Sequence, residues 1–150
     1  MSPHLLSAPQ VEALRAFAGT MIPASARHGV PGADDPAIFA DILANLERDH
    51  ADVTAALQRL DGLAGGSFAG LDGARRLAIA HEFRAEGGAP LAAISRIVLL
   101  CYYRDDRVMR SLGQEPRPPF PLGHAVEQGD WTLLDPVRQR PPFWRPAPRG

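Results

Sequence analysis

A chain of 150 residues with 16 basic and 17 acidic side chains, a formal net charge of −1, has no bulk attraction to nucleic acid or to an anionic membrane surface. The length suits one domain with a core of its own. A single cysteine, Cys101, excludes a disulfide framework, a cysteine-rich metal site and a haem-attachment motif. All 16 basic residues are arginine, and with 15 prolines and 14 glycines this is the mark of a GC-rich genome rather than of a function.

Residues 1–10 show no basic n-region, twin arginine or apolar h-region, and Leu91–Tyr103, the longest mostly apolar stretch, is too short to span a bilayer. No membrane insertion is expected, and the cytoplasm is the expected location. Ser7-x-x-Gln10 has capping-box spacing with Pro9 in the first turn, and Val11, Leu14, Phe17, Ala18 and Met21 follow at helical spacing. The first helix should run to Ile22, where Pro23 ends it. Glycines and prolines through His28–Gly32 then mark a loop.

Asp35-Pro36 is a start signal, a carboxylate N-cap before a proline at the first helical position. Ile38, Ile42, Leu46, Val53, Leu57 and Leu60 step by helical spacing with His50 on the same stripe, giving one long helix or two meeting near Asp49. Gly62 to Gly73 breaks the pattern, with Phe68 and Leu71 as apolar pegs. Asp72 can cap a third helical region carrying Leu77, Ile79 and Phe83 through Glu86, and Gly87-Gly88 closes it. From Leu91 to Tyr103 only Ser95 and Arg96 are strongly polar, so this helix should be the buried centre of a bundle, with Arg104–Leu112 as its charged continuation. No stretch alternates with period two, so the fold class is all-α: a bundle of about five helices spanning residues 1–115.

Residues 116–150 form an extended arm rather than an independent domain. Seven prolines between Pro116 and Pro142 rule out a long helix or a central strand, yet both tryptophans lie here beside Phe120 and Phe143. Burying these four rings is worth on the order of 15–25 kcal/mol at most, while ordering the backbone costs about 1–2 kcal/mol per residue. Such an arm needs a surface, on its own helices or on a second chain. Phe120, Trp131, Leu134, Asp135, Arg138, Phe143 and Trp144 are the candidate anchors, because buried tryptophan with flanking arginine is the composition of an interface hot spot.

Candidate chemistry is sparse. Glu47-x-x-His50 has the spacing of one half of a carboxylate-bridged di-metal bundle, and His81 is the remaining histidine on a predicted helix. A second spaced pair is missing, so Glu47, His50 and His81 are metal candidates only for the alternative of a stand-alone helical metal-binding enzyme. Tyr102-Tyr103 with Arg104, Asp105 and Asp106 could be an acid–base cluster or the polar end of a buried helix. Cys101 lies in the most apolar helix, where an inert thiol is expected. No serine sits in a nucleophile elbow and no glycine run matches a phosphate loop.

Thr20-Met21-Ile22-Pro23 closing the first helix, Pro31-Gly32-Ala33 before the second, Tyr102-Tyr103 further on and Leu112-Gly113 behind them together resemble the gluconate 2-dehydrogenase subunit 3 family over roughly Val11 to Gly123. The likeness rests on order and spacing. It implies a non-catalytic small subunit of a flavin-dependent dehydrogenase of the glucose-methanol-choline type, stabilising or maturing a large subunit that holds FAD and oxidises an alcohol group, commonly on a sugar. It implies no cofactor and no catalytic residue on this chain, and some complexes of the family add a cytochrome. Many members begin with a twin-arginine signal; without one here, either the complex works in the cytoplasm or it reaches the periplasm by co-export with a partner that carries the signal. A transient chaperone of the large subunit is the other reading.

Overall fold

A computed structural model describes residues 6–125, 127–141 and 143. Helix α1 (Ala8–Met21) starts at the predicted box: the Ser7 backbone N–H donates to Gln10 Oε1 at 2.9 Å, and the Ser7 hydroxyl donates to the same oxygen. Its inner face buries Leu14 and Phe17. In the loop that follows, Ser25 and Val30 pair as an isolated antiparallel bridge. Helix α2 (Pro36–Ala44) begins as expected, with Asp35 Oδ1 accepting the Ala37 N–H at 3.0 Å.

The choice between one long helix and two resolves in favour of two. After Ala44 the Asn45 side-chain amide donates back to the Asp41 carbonyl at 2.8 Å, and a 3₁₀ turn (Glu47–Asp49) leads into α3 (His50–Ala64). Ile38, Ile42, Leu46, Val53, Leu57 and Leu60 stay on one buried stripe across the turn, whereas His50 is only half-buried. Helix α3 runs through Gly62 and stops at Gly65, whose φ of 68° closes the last turn. Phe68 is then folded back into the core, with its N–H donating to Asp61 Oδ1 at 2.9 Å.

Helix α4 (Gly73–Glu86) is capped by Asp72, which accepts the Arg75 N–H at 2.9 Å. It departs from the predicted stripe. Phe83 is buried, but Ile79 is half-buried and Leu77 is 49% exposed. Helix α5 (Gly88–Tyr103) is the packing hub, lying mainly on α3 and also on α2, but it is not enclosed. Ala93, Ile94, Ile97, Val98, Cys101 and Tyr102 are buried, while Leu99, Leu100 and Tyr103 are exposed. The charged continuation is also a separate element: Asp105 adopts an extended conformation (ψ 130°) and caps α6 (Asp106–Ser111).

The rings of Phe68 and Phe83 both pack on Phe17, at centroid distances of 6.4 and 6.2 Å, tying α1 to α4 and to the α3–α4 loop. Tyr102 reaches from α5 to the loop before α2, its hydroxyl donating to the Pro31 carbonyl at 3.2 Å. Among the described residues there is no strand, and no helix is long and apolar enough to cross a membrane.

The chain divides into two units, Met1–Pro116 and Arg117–Gly150. The second is not wholly extended, contrary to what its proline content suggests. In its first part Arg117 donates to the Gly123 carbonyl at 2.6 Å and the Gly123 N–H to the Pro119 carbonyl, closing a loop with Phe120 and Leu122 on the outside. Further on, a 3₁₀ turn (Trp131–Leu134) runs directly into α7 (Asp135–Arg138). Pro136 is the sole proline in that stretch and sits in the first turn of α7, where its missing N–H breaks no hydrogen bond.

Candidate functional site

The Tyr102–Asp106 cluster is a set of structural pins. Arg104 makes a bidentate pair with Asp41 on α2, at 2.6 and 2.5 Å. Arg107 bridges two helix caps, reaching Asp35 at 2.7 Å and Asp105 at 3.0 Å. One guanidinium therefore holds the starts of α2 and α6 together. The hydrogen bonds from Arg107 push the carboxyls of Asp35 and Asp105 below the usual aspartate range, and Arg104 does the same to Asp41. Cys101, beneath this layer, has its thiol pushed up to about 12 by burial and then by the neighbouring Asp41 carboxylate. It is a protonated core residue at neutral pH, not a nucleophile.

These pins give a pH dependence with a definite sign. Each of the three carboxyls ionises at lower pH folded than unfolded. Their stabilisation is complete above about pH 4 and is lost as acidification passes through the depressed folded values. Arg107 and Arg104 are both 45% exposed, so solvent screening limits the combined effect to on the order of 1 kcal/mol. Urea denaturation of Arg107→Ala at pH 7 and pH 3 should show the full loss at pH 7 and a smaller loss at pH 3. An equal loss at both pH values would remove the electrostatic account.

The metal candidates are not assembled. Glu47 lies exposed in the 3₁₀ turn, His50 opens α3, and His81 is exposed on α4. Among the described residues no three His, Cys, Asp or Glu side chains form a group able to hold a metal ion. The alternative of a metal-dependent enzyme built on these three residues therefore has no geometric support.

The arm candidates are placed differently. Asp130 Oδ1 accepts the Thr132 N–H at 3.0 Å and the Thr132 hydroxyl at 2.6 Å, starting the helical turns, and Arg138 pairs with Asp135 at 3.1 Å. Trp131, Leu134 and Val137 follow one another at three-residue spacing and are all exposed, Trp131 by 59%. Phe120 and Phe143 are more than four-fifths exposed. Asp135 and Arg138 thus stabilise the turn that displays the apolar side chains. Trp144 lies outside the described residues.

One surface on the first unit has no counterpart in the sequence reading. Between α1 and α4 runs a groove of about 690 Å³ whose lining includes Arg15, Thr20, Asp34, Arg76 and Leu77. At Thr20 and Leu77 it meets a second hollow of about 380 Å³ lined by Met21, His81, Arg84 and Leu91. The available signal was Arg75-Arg76 in the first turn of a helix, where two cations oppose the macrodipole and imply a role other than helix stability. In comparisons with known proteins, no family model, curated protein or solved structure matches this chain.

Proposed function

We propose that this chain is a non-catalytic small subunit of a flavin-dependent alcohol or sugar dehydrogenase complex, stabilising or maturing a large subunit of the glucose-methanol-choline type that holds FAD. The observation that carries the interaction role is the second unit. Phe120, Leu122, Trp131, Leu133, Val137 and Phe143 are all exposed within one short segment. Apolar side chains displayed this densely on ordered turns are the anchors of a protein interface, and turns already shaped by Asp130 and Arg117 lower the ordering cost of docking. The identity of the partner rests on the resemblance of the helical region to the small-subunit family. The tyrosine pair and the charged run that follows it act structurally and supply no competing catalytic centre.

Deleting residues 117–150 should leave a helical protein by circular dichroism, with a melting transition close to that of the full chain. It should abolish co-purification with a co-expressed FAD-bearing large subunit and lower the flavin content of that subunit. Retained co-purification would remove the arm from the interface. Gel filtration of the full-length pair separates a lasting subunit, which co-elutes with the flavoprotein, from a chaperone, which does not.

A further inference from the structure

The helical unit carries eleven of the arginines, and eight of them fall into two groups, with Arg27, Arg48 and Arg75 in neither. Arg59, Arg96, Arg104, Arg107 and Arg110 each hold a carboxylate. Arg15, Arg76 and Arg84 form no ion pair among the described residues, and all three line the α1–α4 trough. Arg15 instead stacks over the Phe39 ring at 4.8 Å. Arg76 is half-buried in that lining, and its Nε–H meets no acceptor. A buried donor left without a partner costs about 1–3 kcal/mol, and such groups in folded proteins call for a specific explanation.

We infer that the trough between α1 and α4 is a docking site for an acidic, apolar segment of a partner polypeptide, whose carboxylate pairs with the arginines of the lining, Arg76 among them. Charge complementarity selects the occupant. Three unpaired arginines outnumber Glu12 and Asp34, the two carboxylates in the same lining. The apolar half, with Met21, Leu77 and Leu91, receives aliphatic side chains beside the acidic one. It also accounts for Leu77, 49% exposed on a helix whose one buried residue is Phe83. Either hollow alone has the size of a small-molecule site. Joined end to end along two helices, they form an open trough suited to a length of chain, as in helix-in-groove recognition. This inference goes beyond the proposed function and holds whichever protein the partner is.

The test is fluorescence anisotropy on the full-length chain with a short amphipathic peptide whose leucine stripe is flanked by glutamates, beside the same peptide with glutamine at each glutamate. The glutamate peptide should bind at least about tenfold more tightly, the scale of one charge-assisted hydrogen bond. Arg76→Gln should erase that preference, and Arg76→Lys, which keeps the charge but lacks the planar fork that pairs with a carboxylate, should restore only part of it. Circular dichroism confirms that each variant is folded; if Arg76→Gln is not, Arg84→Gln takes its place with the same expected loss of preference. Equal binding of the two peptides, binding of neither, or a folded Arg76→Gln that binds like the parent overturns the inference. So does binding of phenylbutyrate without binding of the peptide, which assigns the trough to a small acid. Self-association lost in Arg76→Gln overturns it as well, by assigning the trough to a second copy.

Discussion

Phe83→Ala is expected to destabilise the helical unit by about 3–5 kcal/mol, read as a lower urea midpoint at unchanged slope. The size follows from how α4 is held. Phe83 is its one buried side chain, and the ring packs edge-on to Phe17 of α1 at 79°. Ile79 and Ala80 also pack against the core from α4 but are only partly buried. Phe68→Ala should cost a similar amount, although the residue lies in a loop, because its ring is fully buried and also packs on Phe17. The two rings share a neighbour, so the double variant should depart from additivity by on the order of 1 kcal/mol. Total domain stabilities of about 5–15 kcal/mol put that variant close to unfolding at room temperature. A loss below about 1 kcal/mol for Phe83→Ala would show that α4 is anchored by something other than this ring.

Gly32→Ala is expected to cost about 1–3 kcal/mol, and an Asp34→Ala background should not rescue it. A β-carbon at Gly32 would overlap Asp34 Oδ1, but it would also lie 2.9 Å from the Ala24 backbone nitrogen and 3.2 Å from the Ile22 carbonyl. Those backbone atoms cannot easily retreat. The Ala33 N–H is bonded to Ile22 at 2.9 Å, and Tyr102 holds the Pro31 carbonyl from the far side. Gly19 makes an internal control. There the three atoms nearest the β-carbon all belong to the Asp34 side chain, at 2.8 Å for Cγ, 2.9 Å for Oδ2 and 3.1 Å for Cβ. In the Asp34→Ala background the collisions with Cγ and Oδ2 are gone and the Cβ at 3.1 Å remains, so Gly19→Ala should cost clearly less there than in the parent chain. Thermal melts of the four combinations separate backbone collision from side-chain collision; rescue of Gly32→Ala by Asp34→Ala would remove the backbone account.

These two expectations bear on different features of the molecule. The phenylalanine cluster fixes how α4 lies against α1, and so sets the walls of the trough that holds Arg76. The glycines let the loop before α2 pass close to the end of α1, which puts Asp34 in the same lining. The trough is therefore a product of close packing on both sides, and substitutions in either feature should be checked for folding before any binding is measured.

The amino-acid sequence by itself determined the all-α class and most helix starts, because those signals act within a few residues. Ser7 with Gln10, Asp35 with Pro36, and Asp72 each satisfy the orphan donors of their own first turn, whatever packs nearby. The α2–α3 stripe was legible for the same reason, since the 3₁₀ turn between the helices leaves the repeat in phase. Tertiary structure alone decided which apolar faces are covered. The two sides of α5 have nearly the same composition, and only the placement of α3 and α2 buries Ile94 and Ile97 while leaving Leu99 and Leu100 in solvent. It also decided the partners of the arginines. Arg107 meets Asp35 from 72 positions away, while Arg76, next to Arg75 in a charged first turn, lines a groove with no carboxylate partner among the described residues. Hydrogen bonds within a turn are written locally; burial and charge pairing depend on which distant element arrives, and no spacing rule carries that information.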